Sequence, residues 1–529
     1  MSSRTDTSFV RQAAILGAAS IFVRFIGFLY RIPLTRMIGD EGIFFYGAAY
    51  SVYGFVLIVT AGTFPAAISK LTSERIARKQ YRNAHELFKT AMAIAVLSSY
   101  VAALIMWFGA DFIAEVFFER PQIALAIRSL APTVFFVSFL ATFRGYFQGM
   151  KTAIPTAVSQ VVEQVFKVVF SVLLASLFLD AADIQLAVAG ASVGTGIAVV
   201  AGLAVMVVLY GLISKDLRLR ASKDRNIKKY ESRSHQVSVI VRTALPMIVG
   251  MGIFSIGSFL DLSMAPRYIP FSDDEVNLLI GQFQGKFVLL TTLPVSLSLA
   301  LSAAVIPEIS SSRVQMDISS IKEKANMALR LSMILSIPAA IGLAVLADPI
   351  IALLFPNQPD GGWLLRYGAI SIVLVSLTHV LTGVLQGLGS VGLPVMAAFF
   401  GVAAKVPINY VLMSIPSINI LGAVISTIMC YIVAATLSMF FLYRRTKFLP
   451  SLGSAIIKPL LASTVMGLAC FVTYHGLRLV APTAVATLVA LIVGCVVFVL
   501  VMGLIKGFRK KDLQAAPIPN RLRKWLQEL

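Results

Sequence analysis

The sequence predicts an all-α integral membrane protein with 14 transmembrane helices, arranged as two six-helix lobes in a parallel pseudo-repeat plus two C-terminal helices. Three observations carry this. Of 529 residues, 58% are hydrophobic and 13% charged, with mean hydropathy +0.86, which is too little charge to cover a water-facing surface of this length. Apolar runs of about 20 residues, the length that crosses a bilayer core, recur along the whole chain. The chain also resembles itself at a shift of about 238 residues.

The apolar runs lie at 12–34, 43–68, 88–109, 122–143, 154–179 and 184–213 in the first half. A second group lies at 240–265, 277–306, 326–347, 362–386, 391–413 and 418–443, followed by a final pair at 454–475 and 482–505. The polar start, MSSRTDTSFVRQ, runs into the first span without a small-residue cleavage pattern, so that span is expected to be retained. Cys430, Cys470 and Cys495 sit in apolar runs without paired spacing, which argues for packing residues rather than a disulfide or thiolate site.

Loop charge sets the orientation. With the N-terminus inside, most Lys and Arg fall at one set of junctions: Lys70 to Arg82, Lys215 to Arg233, Arg313 to Arg330, Arg444 to Lys458, and the tail from Lys506 to Lys524. The other side holds Asp111, Glu115, Asp180, Asp183, Asp273, Asp274 and Glu275. By the positive-inside rule both termini are expected to be cytoplasmic. The same bias explains the net charge of +20, so no nucleic-acid partner is expected.

The repeat gives the domain plan. Ala66-Ala67-Ile68 through Arg75 aligns with Ala304-Val305-Ile306 through Arg313, Gly145 to Gly149 with Gly383 to Gly387, Lys167 with Lys405, and Asp111 with Asp348 after a short indel. An even number of helices per copy makes the repeat parallel. The expected domains are an N-lobe at 1–213, a charged linker at 214–239, a C-lobe at 240–450, and the last two helices with a basic tail at 451–529.

Ionisable residues inside these helices cost roughly 2.5 to 3.5 kcal/mol each to insert, so they mark a cavity or a partner. Ser20, Arg24, Gly27 and Arg31 form one stripe of the first helix, with Arg31 near enough to its outer end to snorkel. Gln160, Glu163, Gln164 and Lys167 follow i, i+3, i+4, i+7 in the fifth, either as a cavity face or with Glu163 and Lys167 as a self-neutralising pair. In the second half Gln282 and Lys286 are four apart, as are Lys405 and Asn409. Asp261 either pairs with Lys286 or Lys405 or serves ion coupling. His379, between Thr378 and Thr382, either relays protons or bonds a neighbouring helix. No phosphate-cradling glycine loop, zinc spacing or nucleophile elbow stands out.

The six-plus-six-plus-two plan, VRFIGFLYRIP around Arg24, TFPAAISKLTSER and RGYFQGMKTAIP together resemble the MOP flippase superfamily, nearest its MurJ and SpoVB branch, over nearly the whole chain. The resemblance implies two lobes around a central cavity, alternating access, and transport of a polyprenyl-diphosphate-linked saccharide such as lipid II for peptidoglycan synthesis. It implies a bacterial cytoplasmic membrane, a monomer among membrane lipids, and a groove for the isoprenoid tail on the last two helices. It assigns the substrate to Arg24, and more loosely to Lys286. Some members hold sodium with acids and amides of the seventh and eleventh helices, where Asp261 and Asn409 lie, but Lys405 one turn away opposes a cation.

The expected mechanism places the diphosphate among Arg24, Lys167, Lys286 and Lys405. These cations less Glu163 and Asp261 leave about two positive charges, which a diphosphate cancels, so membrane potential drives the empty carrier's return. No cofactor is expected, and coupling to the potential, Na+ or H+ stays open. Competing readings are a flippase for a teichoic, capsular or spore-wall precursor, a multidrug exporter of the same superfamily, and a membrane glycosyltransferase. The exporter needs cavity acids where this chain has Arg24. The enzyme ordinarily needs catalytic acids and a larger outer loop.

Overall fold

The computed structural model describes residues 17, 19, 20, 22–62, 64–179, 183–222, 231–447 and 452–508. All regular structure among them is helical. Among the described residues twelve helical spans are long and apolar enough to cross a membrane, and the chain is a multi-pass membrane protein. Of the 14 expected spans, 12–34 falls partly outside the described residues, and 240–265 lies in a helix several of whose side chains are not described. The chain divides into two compact units, Met1–Arg267 and Tyr268–Leu529.

The first unit opens with helical residues 22–29 (α1) and continues into α2, Arg31–Leu57. Gly39, at φ 71° and ψ 179°, breaks α2 in a conformation that a side chain would strain, so the turn between the first two spans is one glycine wide. A π-helical turn, Ile58–Gly62, leads into α3, Phe64–Ala77. It precedes Pro65, which has no N–H to continue a regular ladder. Then come α4 (Tyr81–Phe108), α5 (Ala110–Phe118), α6 (Ile123–Gly149), α7 (Ile154–Leu179), α8 (Ile184–Ser222) and α9 (Arg233–Tyr268). The core joins α4, α6 and α8, where Phe88 stacks on Tyr146 at 4.4 Å and meets Tyr210 at 5.5 Å. The expected linker 214–239 is helical at both ends, since α8 runs to Ser222 and α9 starts at Arg233; residues 223–230 are not described. All of α9 but its last residue groups with the first unit.

The second unit runs through α10 (Asp273–Gln282), a second π-helical segment (Phe283–Val288), α11 (Leu289–Val314), α12 (Ile318–Val345) and α13 (Ala347–Leu354). It continues with α14 (Gly362–Gly368), α15 (Ile370–Gly387), α16 (Gly392–Met413), α17 (Leu421–Thr446), α18 (Leu452–Arg478) and α19 (Thr483–Leu504). The expected span 362–386 is therefore two helices that part at Ala369. Val305 and Ile309 of α11, Leu329 and Met333 of α12, and Val380 and Val384 of α15 form its apolar core. The end of α19 is held by cations: Lys458 Nζ donates to the Lys506 carbonyl at 3.0 Å, and Arg330 Nη2 to that of Gly507 at 2.8 Å.

Each unit contains the same close crossing of repeated motifs. A Cβ built on Gly145 of α6 meets Pro65 Cα of α3 at 2.8 Å, and one on Gly149 meets Thr72 Cβ at 2.6 Å. In the second unit a Cβ on Gly383 meets the Ser302 carbonyl at 2.6 Å, and one on Gly387 meets Ile309 Cβ at 2.7 Å. Only a bare Cα admits this approach. An ion pair repeats too, Asp111 with Arg128 and Asp348 with Arg366.

Candidate functional site

The fifth-span stripe lies on α7, whose apolar residues keep it helical while every third or fourth position is polar. Gln160, Glu163, Gln164 and Lys167 are all half-buried. Gln164 packs on α1 opposite Gly27, where a Cβ would lie 3.4 Å from its amide nitrogen. The stripe therefore faces the helix that carries Arg24 and leads into Arg31. Arg24 is exposed and Arg31 half-buried.

Glu163 is held by Arg144 of α6, not by Lys167 as in one of the two readings the sequence leaves open. Arg144 Nη2 lies 2.6 Å from Glu163 Oε2, and its Nε donates to Ser159 Oγ at 2.9 Å. Gly202 of α8 leaves room beside this pair, since its Cβ would come within 3.2 Å of Glu163 Cβ. Arg144 was not among the sequence candidates. It precedes Gly145 at the end of a span and reads as a boundary charge. Only the fold reveals that it reaches a helix 19 residues on.

Lys167 sits among tyrosines. Its Nζ lies 4.8 Å from the Tyr50 ring centroid and 5.5 Å from that of Tyr30. Tyr30 and Tyr46 share a hydroxyl hydrogen bond of 2.9 Å, Tyr46 and Tyr50 rings are 4.3 Å apart, and the Tyr50 hydroxyl meets that of Thr195. Ring faces attract an ammonium by about 0.5 to 2 kcal/mol without cancelling its charge, which leaves Lys167 able to receive an anion. The FLYRIP and FYGAAYSVYGF segments display these tyrosines openly, but their spacing alone reads as packing.

In the second unit Lys286 lies inside the π-helical segment, fully buried, with Nζ 5.9 Å from the Phe355 ring. Gln282 ends α10 just before the widened segment and packs on Gly361, whose φ is 94°. On α16, Lys405 donates to Thr427 Oγ1 of α17 at 2.9 Å, and Asn409 is fully buried one turn on. His379 is half-buried on α15, and its carbonyl accepts from Ser302 Oγ at 2.6 Å. Asp261 is buried on α9, in the first unit. Among the described residues no group of three His, Cys, Asp or Glu side chains is placed to hold a metal ion.

The relatives of this chain point to a transporter rather than an enzyme. The model of the family described as "Polysaccharide biosynthesis protein" matches residues 9–313, more than half of the chain, and that described as MatE matches 246–411. The chain belongs to the polysaccharide biosynthesis protein family, among the MurJ- and SpoVB-like flippases of the MOP superfamily. It is 26% identical to the "Uncharacterized membrane protein YabM" of Bacillus subtilis (strain 168), over 97% of this chain and 96% of that one. It is 25% identical to the "Lipid II flippase MurJ" of the same organism, over 96% and 97%. A solved structure of "Lipid II flippase MurJ, inward closed conformation" superimposes with TM-score 0.70 at 15% identity, over 93% of this chain and 98% of that one.

Proposed function

We propose that this chain carries a polyprenyl-diphosphate-linked saccharide, lipid II foremost, from the inner to the outer leaflet of a bacterial plasma membrane for peptidoglycan synthesis. The observation that carries this reading is the uncancelled charge on the α1 and α7 faces. Arg24 of α1 and Lys167 of α7 are cations, Arg31 follows at the start of α2, and Glu163, the acid of the α7 stripe, is already engaged by Arg144 of α6. That surplus suits a diphosphate and repels the organic cations of a multidrug exporter. Arg24 offers a forked donor pair and Lys167 a point charge held by tyrosine faces. Gln160 and Gln164 add amides for phosphate or sugar oxygens. In the second unit the anion-binding role falls to Lys286, Lys405 and Gln282. Asp261, Asn409 and His379 are assigned to charge pairing and coupling. The chain works as a monomer with both termini cytoplasmic, and takes no nucleic acid.

The test is complementation of a bacterium depleted of its lipid II flippase. The wild-type chain is expected to restore growth, and Arg24→Ala and Lys167→Ala to fail at equal expression. A well-expressed wild type that restores wall teichoic acid, capsule or spore cortex instead moves the assignment to that lipid-linked precursor.

A further inference from the structure

Away from the α7 stripe, a cavity of about 310 Å3 opens in the first unit between the middle of α4 and the start of α9. On α4, Lys89, Ala93 and Leu97 succeed one another at four-residue intervals and form one exposed stripe about 12 Å long. On α9, Arg233 and Val237 do the same, and Val241 continues the row. Each stripe thus begins with a cation and becomes apolar. The floor is fixed where Thr90 Oγ1 donates to Gln236 Oε1 at 2.6 Å, with Gln236 buried. Glu86 accepts from Lys89 Nζ at 2.9 Å, so Lys89 and Arg233 against Glu86 leave one net positive charge at the mouth.

We propose that this groove binds an anionic phospholipid, with its phosphodiester at Lys89 and Arg233 and one acyl chain along Ala93, Leu97, Val237 and Val241. A phosphodiester supplies the single negative charge that complements the mouth, and an acyl chain covers the apolar rows below it. A free anion leaves those rows uncovered. A zwitterionic headgroup brings its own cation against Lys89 and Arg233. The site is separate from the α7 stripe and does not depend on which saccharide the protein carries.

The experiment uses the full chain in phosphatidylcholine nanodiscs doped with phosphatidylglycerol bearing a photoactivatable acyl chain, with labelled peptides mapped by mass spectrometry. Labelling is expected on residues 93–97 and 237–241, displaced by unlabelled phosphatidylglycerol and unaffected by inorganic phosphate. Lys89→Gln with Arg233→Gln should reduce it about tenfold without changing labelling of α19, while Lys89→Arg with Arg233→Lys retains it. Equal labelling by a phosphatidylcholine probe, or undiminished labelling of the glutamine variant, overturns the proposal by showing ordinary annular lipid. Displacement by undecaprenyl diphosphate but not by phosphatidylglycerol also overturns it, by giving the groove to the transported lipid.

Discussion

Arg144 and Glu163 show how a single contact changes the charge available to a substrate. Their side chains are 14% and 26% exposed, so the pair is largely desolvated, and deleting one partner leaves the other charge without compensation. Arg144→Gln is expected to cost about 2 kcal/mol and to lower the thermal midpoint of the detergent-solubilised protein by several degrees. Adding Glu163→Gln should recover most of that loss. A double variant as unstable as the single one would show that Arg144 acts through something other than this pair. The i, i+4 spacing of Glu163 and Lys167 was legible in the sequence and suggested a different pairing. Helical periodicity reports which residues share a face, but it carries no information about a cation arriving from another helix.

At the scale of elements, the repeated glycines are the part most fully legible. Gly145 and Gly149, and Gly383 and Gly387, stood out in the sequence as matched landmarks, and the structure gives their cause as a crossing too close for a Cβ. Gly149→Leu and Gly387→Leu are each expected to cost about 1 to 3 kcal/mol or more through overpacking, read as lost monodisperse protein on size exclusion. Wild-type behaviour of both variants would mean that the crossings are looser than described. The two π-helical turns and the break at Ala369 left no readable signal, because hydropathy counts apolar residues and is blind to a single widened turn. One of those widened turns contains Lys286.

For the whole molecule, composition alone led to the membrane, and self-similarity to the repeat, because both are summed over hundreds of residues. The exact span count was less accessible, since it depends on segment ends. The surplus of embedded positive charge has a consequence at this scale. An inside-negative potential acts on each traversing charge by about 2.3 kcal/mol per 100 mV, so it should favour the empty carrier's return to the inward-open state. Collapsing the potential while preserving ion gradients is expected to slow multiple-turnover flipping and to spare a single turnover. Equal multiple-turnover rates with and without the potential would exclude a voltage-driven return.

The most direct measurement is reconstituted flipping of a fluorescent polyprenyl-diphosphate saccharide by Lys167→Gln, Lys167→Glu and Glu163→Gln variants, each matched for folded protein in the vesicles. If embedded positive charge receives the diphosphate, neutralising Lys167 lowers the rate at least tenfold, reversing it abolishes flipping, and Glu163→Gln retains activity. A Lys167→Glu protein that flips the lipid at the wild-type rate would contradict the account.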